Sequence, residues 1–187
     1  MDKEKITAEQ RRLTAAEVKR LLNLRPHPRE GGWFVRTYQA GETLSPENFS
    51  DGRYNQPRHT GTAIYYLLES GTFSEMHVLA SDEIFHHYAG DAVEMLQLHP
   101  DGSSRRVVIG ANLHAGERPQ EVVPRGVWQG ARLLASAQES VDGLGWALLG
   151  CTVSPGFEFA DYRSTPRAEL IARWPDEAEM ITALTRE

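Results

Sequence analysis

The chain has one cysteine, Cys151, in 187 residues. A single thiol excludes an intramolecular disulfide framework. Its neighbours in "WALLGCTV" are apolar, so Cys151 reads as a small buried hydrophobe. No run approaches the roughly 20 apolar residues of a membrane-spanning helix. The opening "MDKEKITAEQRR" lacks the apolar core of a signal peptide. A cytoplasmic protein with no membrane partner is therefore expected. Positive charge is also short, with 20 Lys and Arg against 26 Asp and Glu and a net charge of −6. A broad nucleic-acid surface needs the opposite balance, so no nucleic-acid partner is expected. The bases of "EKITAEQRRLTAAEVKR" are matched by acids and read as a solvated helix face. There is no Gly-x4-Gly-Lys-Ser loop, no Gly-x-Gly-x-x-Gly turn and no Gly-x-Ser-x-Gly elbow. Nucleotide-driven phosphoryl transfer and nucleophilic hydrolysis thus lack support.

What remains is a chain of ordinary globular composition, 40% hydrophobic and 25% charged. Its length suits one domain over residues 1–187. "TAAEVKRLLNL" opens with Thr14 and has Glu17 three residues on, which is a capping box. Val18, Leu21 and Leu22 recur at helical spacing, and Pro26 and Pro28 end the pattern. "WPDEAEMITALTRE" places Pro175 at a helix start, acids in its first turn and Arg186 in its last. Between these helices lie short β-branched and aromatic runs separated by turn residues, among them "GTAIYYLL", "EIFHHY", "AVEMLQL" and "WALLGCTV". The gaps are too short for crossover helices, so the sheets should be mainly antiparallel and form a sandwich or barrel. The expected division is an N-terminal helix and lead-in over 1–29, an all-β body over 30–166 and a C-terminal helix over 167–187. The polar "SPENFSDGRYNQPRH" reads as a loop.

The stretch "HVLASDEIFHHYAGDAVEML" gathers His77, His86 and His87 with Asp82, Glu83, Asp91 and Glu94. In a regular strand Glu83, Phe85 and His87 share one face, and His86 shares the other with Ile84 and Tyr88. Adjacent histidines therefore cannot both reach one pocket. His77 returns to the face of Glu83 only if its strand neighbours the next.

These residues resemble the cupin superfamily. His77-x-Leu79-x3-Glu83-x6-Gly90 is similar to the first cupin motif, and "VPRGVWQ" to the second, with Pro124 and Gly126 in place. The branch called cupin_5 is the nearer likeness. It is carried by "EGGWF", "SDEIFH", "YAGD", "PQEVVPRGVWQ" and "GCTVSPGFEFADY", spread over roughly residues 21–166. The resemblance implies a double-stranded β-helix, the jelly-roll cupin barrel, usually dimeric, with a ligand cavity inside. It also implies His77 and Glu83 as site residues. Leu79 and Gln129 stand where that superfamily carries two further metal-binding histidines.

Gln129 offers only a neutral amide oxygen, a weak ligand for metals that imidazole suits. The expectation is therefore no resident cofactor, with room left for weak divalent-metal binding. In the metal-free reading, His77, Glu83 and His86 are the acid–base candidates, because burial pulls such groups toward neutrality. The likeness favours His86 and ideal alternation favours His87, and a β-bulge would reconcile them. Arg36, Thr62 and Gln129 are candidates to bond ligand oxygens, and Tyr65, Phe85, His87 and Trp128 to wall the ligand. Each has a plainer role available, in strand surface or core. His27, His59, His99 and His114 read as loop or turn surface, and Glu158 and Asp161 as loop charges that lie in reach of the cavity. The leading expectation is a cupin that binds a small polar organic ligand, as a metal-independent isomerase or epimerase of a carbohydrate-like substrate. A metal-dependent oxygenase or lyase, and a non-catalytic sensor or storage protein, are the alternatives. A homodimer is expected throughout.

Overall fold

The computed structural model describes residues 12–134 and 143–186. The acid–base balanced stretch before residue 12 and the "SAQESVD" segment lie outside the described residues. Helix α1 spans Ala15–Leu21. Thr14 caps it as expected. The Glu17 backbone N–H donates to the Thr14 hydroxyl at 3.3 Å, and the Thr14 N–H donates back to the Glu17 carboxylate at 2.9 Å. Only Val18 of this helix is fully buried, so a single apolar stripe docks it.

Twelve strands follow among the described residues: β1 (Arg25–Pro26), β2 (Trp33–Gln39), β3 (Thr43–Leu44), β4 (Arg58–His59), β5 (Thr62–Glu69), β6 (Phe73–Val78), β7 (Asp82–Gly90), β8 (Val93–Leu98), β9 (Ser104–Ile109), β10 (Gln120–Val123), β11 (Trp128–Leu133) and β12 (Trp146–Ser154). They form a six-stranded sheet in the order β1-β2-β5-β12-β7-β10 and a four-stranded sheet in the order β6-β11-β8-β9. A separate two-stranded ladder joins β3 to β4. Every ladder between these strands is antiparallel. From β5 onward the chain passes back and forth between the two large sheets, as a jelly roll does. The sheets face one another without hydrogen bonding into a closed ring.

Inward side chains of both sheets meet in one core. Tyr66, Phe85, Leu149 and Cys151 come from the six-stranded sheet, and Val93, Met95 and Leu133 from the other. Cys151 is buried, as its apolar context implied. The C-terminal segment holds two helices where one was expected, α2 (Arg167–Arg173) and α3 (Ala178–Ala183). Proline disfavours helical dihedrals in the residue before it, and Trp174 accordingly leaves the helix at φ −128°, ψ 68°. Leu170, Trp174, Met180, Ile181 and Leu184 cover the outer face of the four-stranded sheet against Met76, Leu96 and Leu98. Among the described residues no helix is long and apolar enough to cross a membrane.

Candidate functional site

Two strands of the small sheet bring the first pair together. His77 on β6 is the direct cross-strand partner of Gln129 on β11. Glu83 on β7 belongs to the opposite sheet and reaches across the sandwich. The Gln129 amide nitrogen donates to Glu83 Oε2 at 2.6 Å and lies 3.3 Å from His77 Nε2. The other imidazole nitrogen, Nδ1, lies 2.7 Å from the Glu75 carbonyl oxygen. A carbonyl only accepts, so Nδ1 carries a proton, and in the neutral imidazole Nε2 is the acceptor. One amide thus bridges an imidazole and a carboxyl that lie on different sheets. All three side chains are buried.

A largely enclosed cavity borders this group. His77, Glu83, Arg36 and Thr62 line it, with Phe34, Ile64, Leu79 and Phe157 as an apolar wall. Its volume is about 40 Å³, room for roughly three water-sized occupants. Thr62 accepts from the Phe157 backbone N–H at 2.9 Å, and Arg36 donates to the Phe157 carbonyl at 3.2 Å. These two residues hold the Phe157 segment over the cavity.

Two further polar residues line it that the sequence reading left aside. His27, read there as loop surface, is largely buried and packs edge-on against Phe34 with ring centroids 4.7 Å apart. Its Nδ1 accepts the Glu30 backbone N–H at 2.8 Å, and its Nε2 lies 4.0 Å from Glu30 Oε2. The Ser74 hydroxyl donates to the other Glu30 oxygen. "RPHPRE" carries no periodic burial signal, and only the tertiary packing of this lead-in beside the inter-sheet cavity brings it inside. Asp161 is buried too, in a bidentate pair with Arg58 at 2.7 and 2.8 Å. The Tyr162 ring stacks on His77 at 4.9 Å.

The electrostatics follow from burial. Desolvation first, then the nearby charge of Glu30, pushes Glu83 up to about 8. Gln129 and the Cys151 thiol oppose this by hydrogen bonding the charged form. Burial lowers His27, and the Glu30 carboxylate works against that shift. Burial, reinforced by Glu30, raises the Tyr162 phenol and keeps it protonated. Gln129 Oε1 and the Tyr162 hydroxyl are buried with no hydrogen-bond partner among the described residues. Buried polar atoms are ordinarily satisfied, and both residues touch His77, which lines the cavity, without lining it themselves.

The remaining sequence candidates lie away from the cavity. β7 pairs with β12 in unbroken register from Asp82 to His87, and the register shifts only beyond it, opposite Leu148 and Leu149. The bulge therefore falls too late to turn His86 inward. His86 sits on the outer face, 3.4 Å from both Gln120 and Thr152 and stacked on Tyr88. His87 is on the face of Glu83, as alternation requires, but its Nε2 bonds the Asp91 carbonyl at 3.1 Å at the far end of the strand. Phe85 is buried in the core between them. Tyr65 faces outward and meets Tyr88 edge-on at 5.9 Å. Trp128 points away from its neighbour Gln129 and packs under the C-terminal helices.

The donor set does not suit a resident metal. Among the described residues no three His, Cys, Asp or Glu side chains are placed to hold one ion. Leu79 contributes no donor, and the Gln129 amide turns its nitrogen toward both His77 and Glu83.

Residues 16–165 match the Cupin_5 family, described as "Cupin superfamily (DUF985)". The chain belongs to the Cupin_5 family. It is 30% identical over 138 residues to the uncharacterized protein YML079W of Saccharomyces cerevisiae, covering 72% of this chain and 67% of the yeast protein. Among solved structures, a hypothetical protein from Leishmania major superposes with a TM-score of 0.81 at 30% identity, over 94% of this chain and 100% of that one. Protein SO0799 from Shewanella oneidensis gives a TM-score of 0.78 at 30% identity, over 93% and 98%.

Proposed function

We propose that this cupin binds a small polar organic ligand in the inter-sheet cavity and moves a proton on it without a metal. The reading is an isomerase or epimerase of a carbohydrate-like carbonyl compound. The observation that carries it is the buried Glu83–Gln129–His77 group beside the cavity. Glu83 holds its proton near neutral pH and is the acid. The His77 Nε2 lone pair is the base, its tautomer set by the Glu75 carbonyl. In the step proposed, His77 takes the proton from the carbon next to the ligand carbonyl, and Glu83 gives its proton to the carbonyl oxygen. The product is an enol, and returning the protons regenerates both side chains. Gln129 Oε1 and Arg36 are the groups that would bond other ligand oxygens. That no three donor side chains among the described residues are placed to hold one ion counts against the metal-dependent oxygenase or lyase reading.

The test uses chelator-treated, dialysed protein in heavy water with a set of aldoses, ketoses and 2-oxo acids. Deuterium should enter at the carbon next to the carbonyl, read by NMR. Glu83→Gln should slow that exchange by about a hundredfold or more while the circular dichroism spectrum stays unchanged. A ligand retained in native mass spectrometry, with no exchange by the wild type, would instead make the chain a sensor or storage protein.

A further inference from the structure

Leu79 has a second neighbour besides the cavity. It also borders an open cleft of about 560 Å³ that Arg53, Arg125 and Arg163 line together with Gly126 and Asp161. The three arginines come from segments far apart in the chain. Arg53 lies in the loop before β4, Arg125 in the turn between β10 and β11, and Arg163 in the stretch after β12.

Each of the three is anchored. The Arg53 guanidinium sits 4.5 Å from the Phe49 ring centre and 5.0 Å from that of Tyr54, and bonds Asp51 at 2.8 Å. Its buried Nε has no partner among the described residues. The Arg125 side chain also bonds Asp51, and its backbone N–H donates to Asp82 at 2.8 Å. The next residue, Gly126, donates its N–H to the Leu79 carbonyl at 3.0 Å, which ties this turn to the rim. Arg163 exchanges two backbone hydrogen bonds with Val78, at 2.9 and 3.2 Å. Its side chain is exposed and carries no bond to a described residue.

The charge is unbalanced in one direction. Asp161 is the one carboxylate among the lining residues, and Arg58 already holds it bidentately. Three guanidiniums and one carboxylate line the cleft, with Asp51 and Asp82 bonded to Arg53 and Arg125 beside it and Glu158 acting on Arg58. Guanidinium groups bind phosphate oxygens in a fork, and a phosphate monoester carries a charge near −2 at neutral pH. The cavity on the other side of Leu79 admits only a few atoms. Leu79 is the residue that lines both spaces, so the cleft is the neighbouring room for the part of a ligand that the cavity does not hold.

We propose that the arginine cleft is a binding site for the phosphate monoester of the ligand, with Arg163 and Arg125 as its principal contacts and Leu79 between phosphate and reacting carbon. The assignment takes the direction of the ligand from the proposed function, but the phosphate site is tested without it. Calorimetric titration of the full chain at low salt, first with inorganic phosphate and then with a hexose phosphate, reads it directly. Phosphate should bind saturably with Kd on the order of 1 mM. The hexose phosphate should bind more tightly than phosphate or the free hexose. Arg163→Gln and Arg125→Gln should each weaken both about tenfold. Both side chains are at the surface, and circular dichroism checks that the variants are folded. Arg20→Gln, on the exposed face of α1, should change neither titration. Glu83→Gln should leave phosphate binding intact, so a loss of proton exchange and a loss of phosphate binding are separable. No saturable binding, binding that survives both arginine changes, or a hexose phosphate no tighter than phosphate alone would overturn the proposal.

Discussion

Glu83 sits between the two sheets with its proton held by burial, and this links the site to stability. In the unfolded chain it ionises near its ordinary value of 4.5, whereas in the fold it does so near 8. Between those values the unfolded chain binds fewer protons than the folded one, so stability falls as pH rises. Below about pH 4.5 the contribution of Glu83 is fully present, and above about 8 it is lost. The effect is roughly 2–5 kcal/mol, the higher figure being the full shift. Glu83→Gln removes the titration and leaves a neutral side chain of nearly the same shape. Urea unfolding between pH 5 and 8 should therefore show a smaller decline for the variant than for the wild type. Parallel declines would mean that the carboxyl is hydrated in the fold.

The strand that carries Glu83 is shaped by one glycine. β7 ends at Gly90, whose φ of +93° lies in the left-handed region. A Cβ there would meet the Trp146 carbonyl oxygen at 2.3 Å. This is the Gly of the first cupin-like motif, and its role is close approach of β7 to β12 just past the bulge. Gly90→Ala should cost at least about 2 kcal/mol, read from the urea midpoint, because both the dihedral and the contact oppose a side chain. Gly102, also at positive φ, has open space around its Cβ position, so Gly102→Ala should show the milder cost of the dihedral alone.

Across the whole molecule, the outer face of the six-stranded sheet is left with apolar surface. Tyr88 and Val122 are exposed there, beside Ile84 and Tyr65. β10 is an edge strand of that sheet, and an uncovered edge invites pairing. The expected assembly is a two-fold dimer through this face, the commonest closed form. Light scattering at micromolar concentration should give twice the chain mass, and Tyr88→Glu should shift it toward the monomer. A monomer mass for the wild type would refute this assembly.

The sequence by itself determined the antiparallel all-β body, the Thr14 capping box and the cupin family, because alternation, turn residues and ordered motifs are local. It also named His77 and Glu83 as acid–base candidates and Gln129 as a hydrogen-bonding one, and the fold places both beside the Gln129 amide. Only the tertiary structure decided the rest. Strand alternation through Phe85 keeps His86 outside, and the bulge of this strand lies beyond His87. Trp128 and Gln129 are neighbours in sequence, yet one packs under helices and the other lines the inter-sheet space, because a strand has two faces. His27 and Glu30 enter the site from a lead-in with no periodic pattern, and Arg53, Arg125 and Arg163 meet from three loops. Such convergence depends on how the sheets stack and the loops close, and no spacing along the chain encodes it.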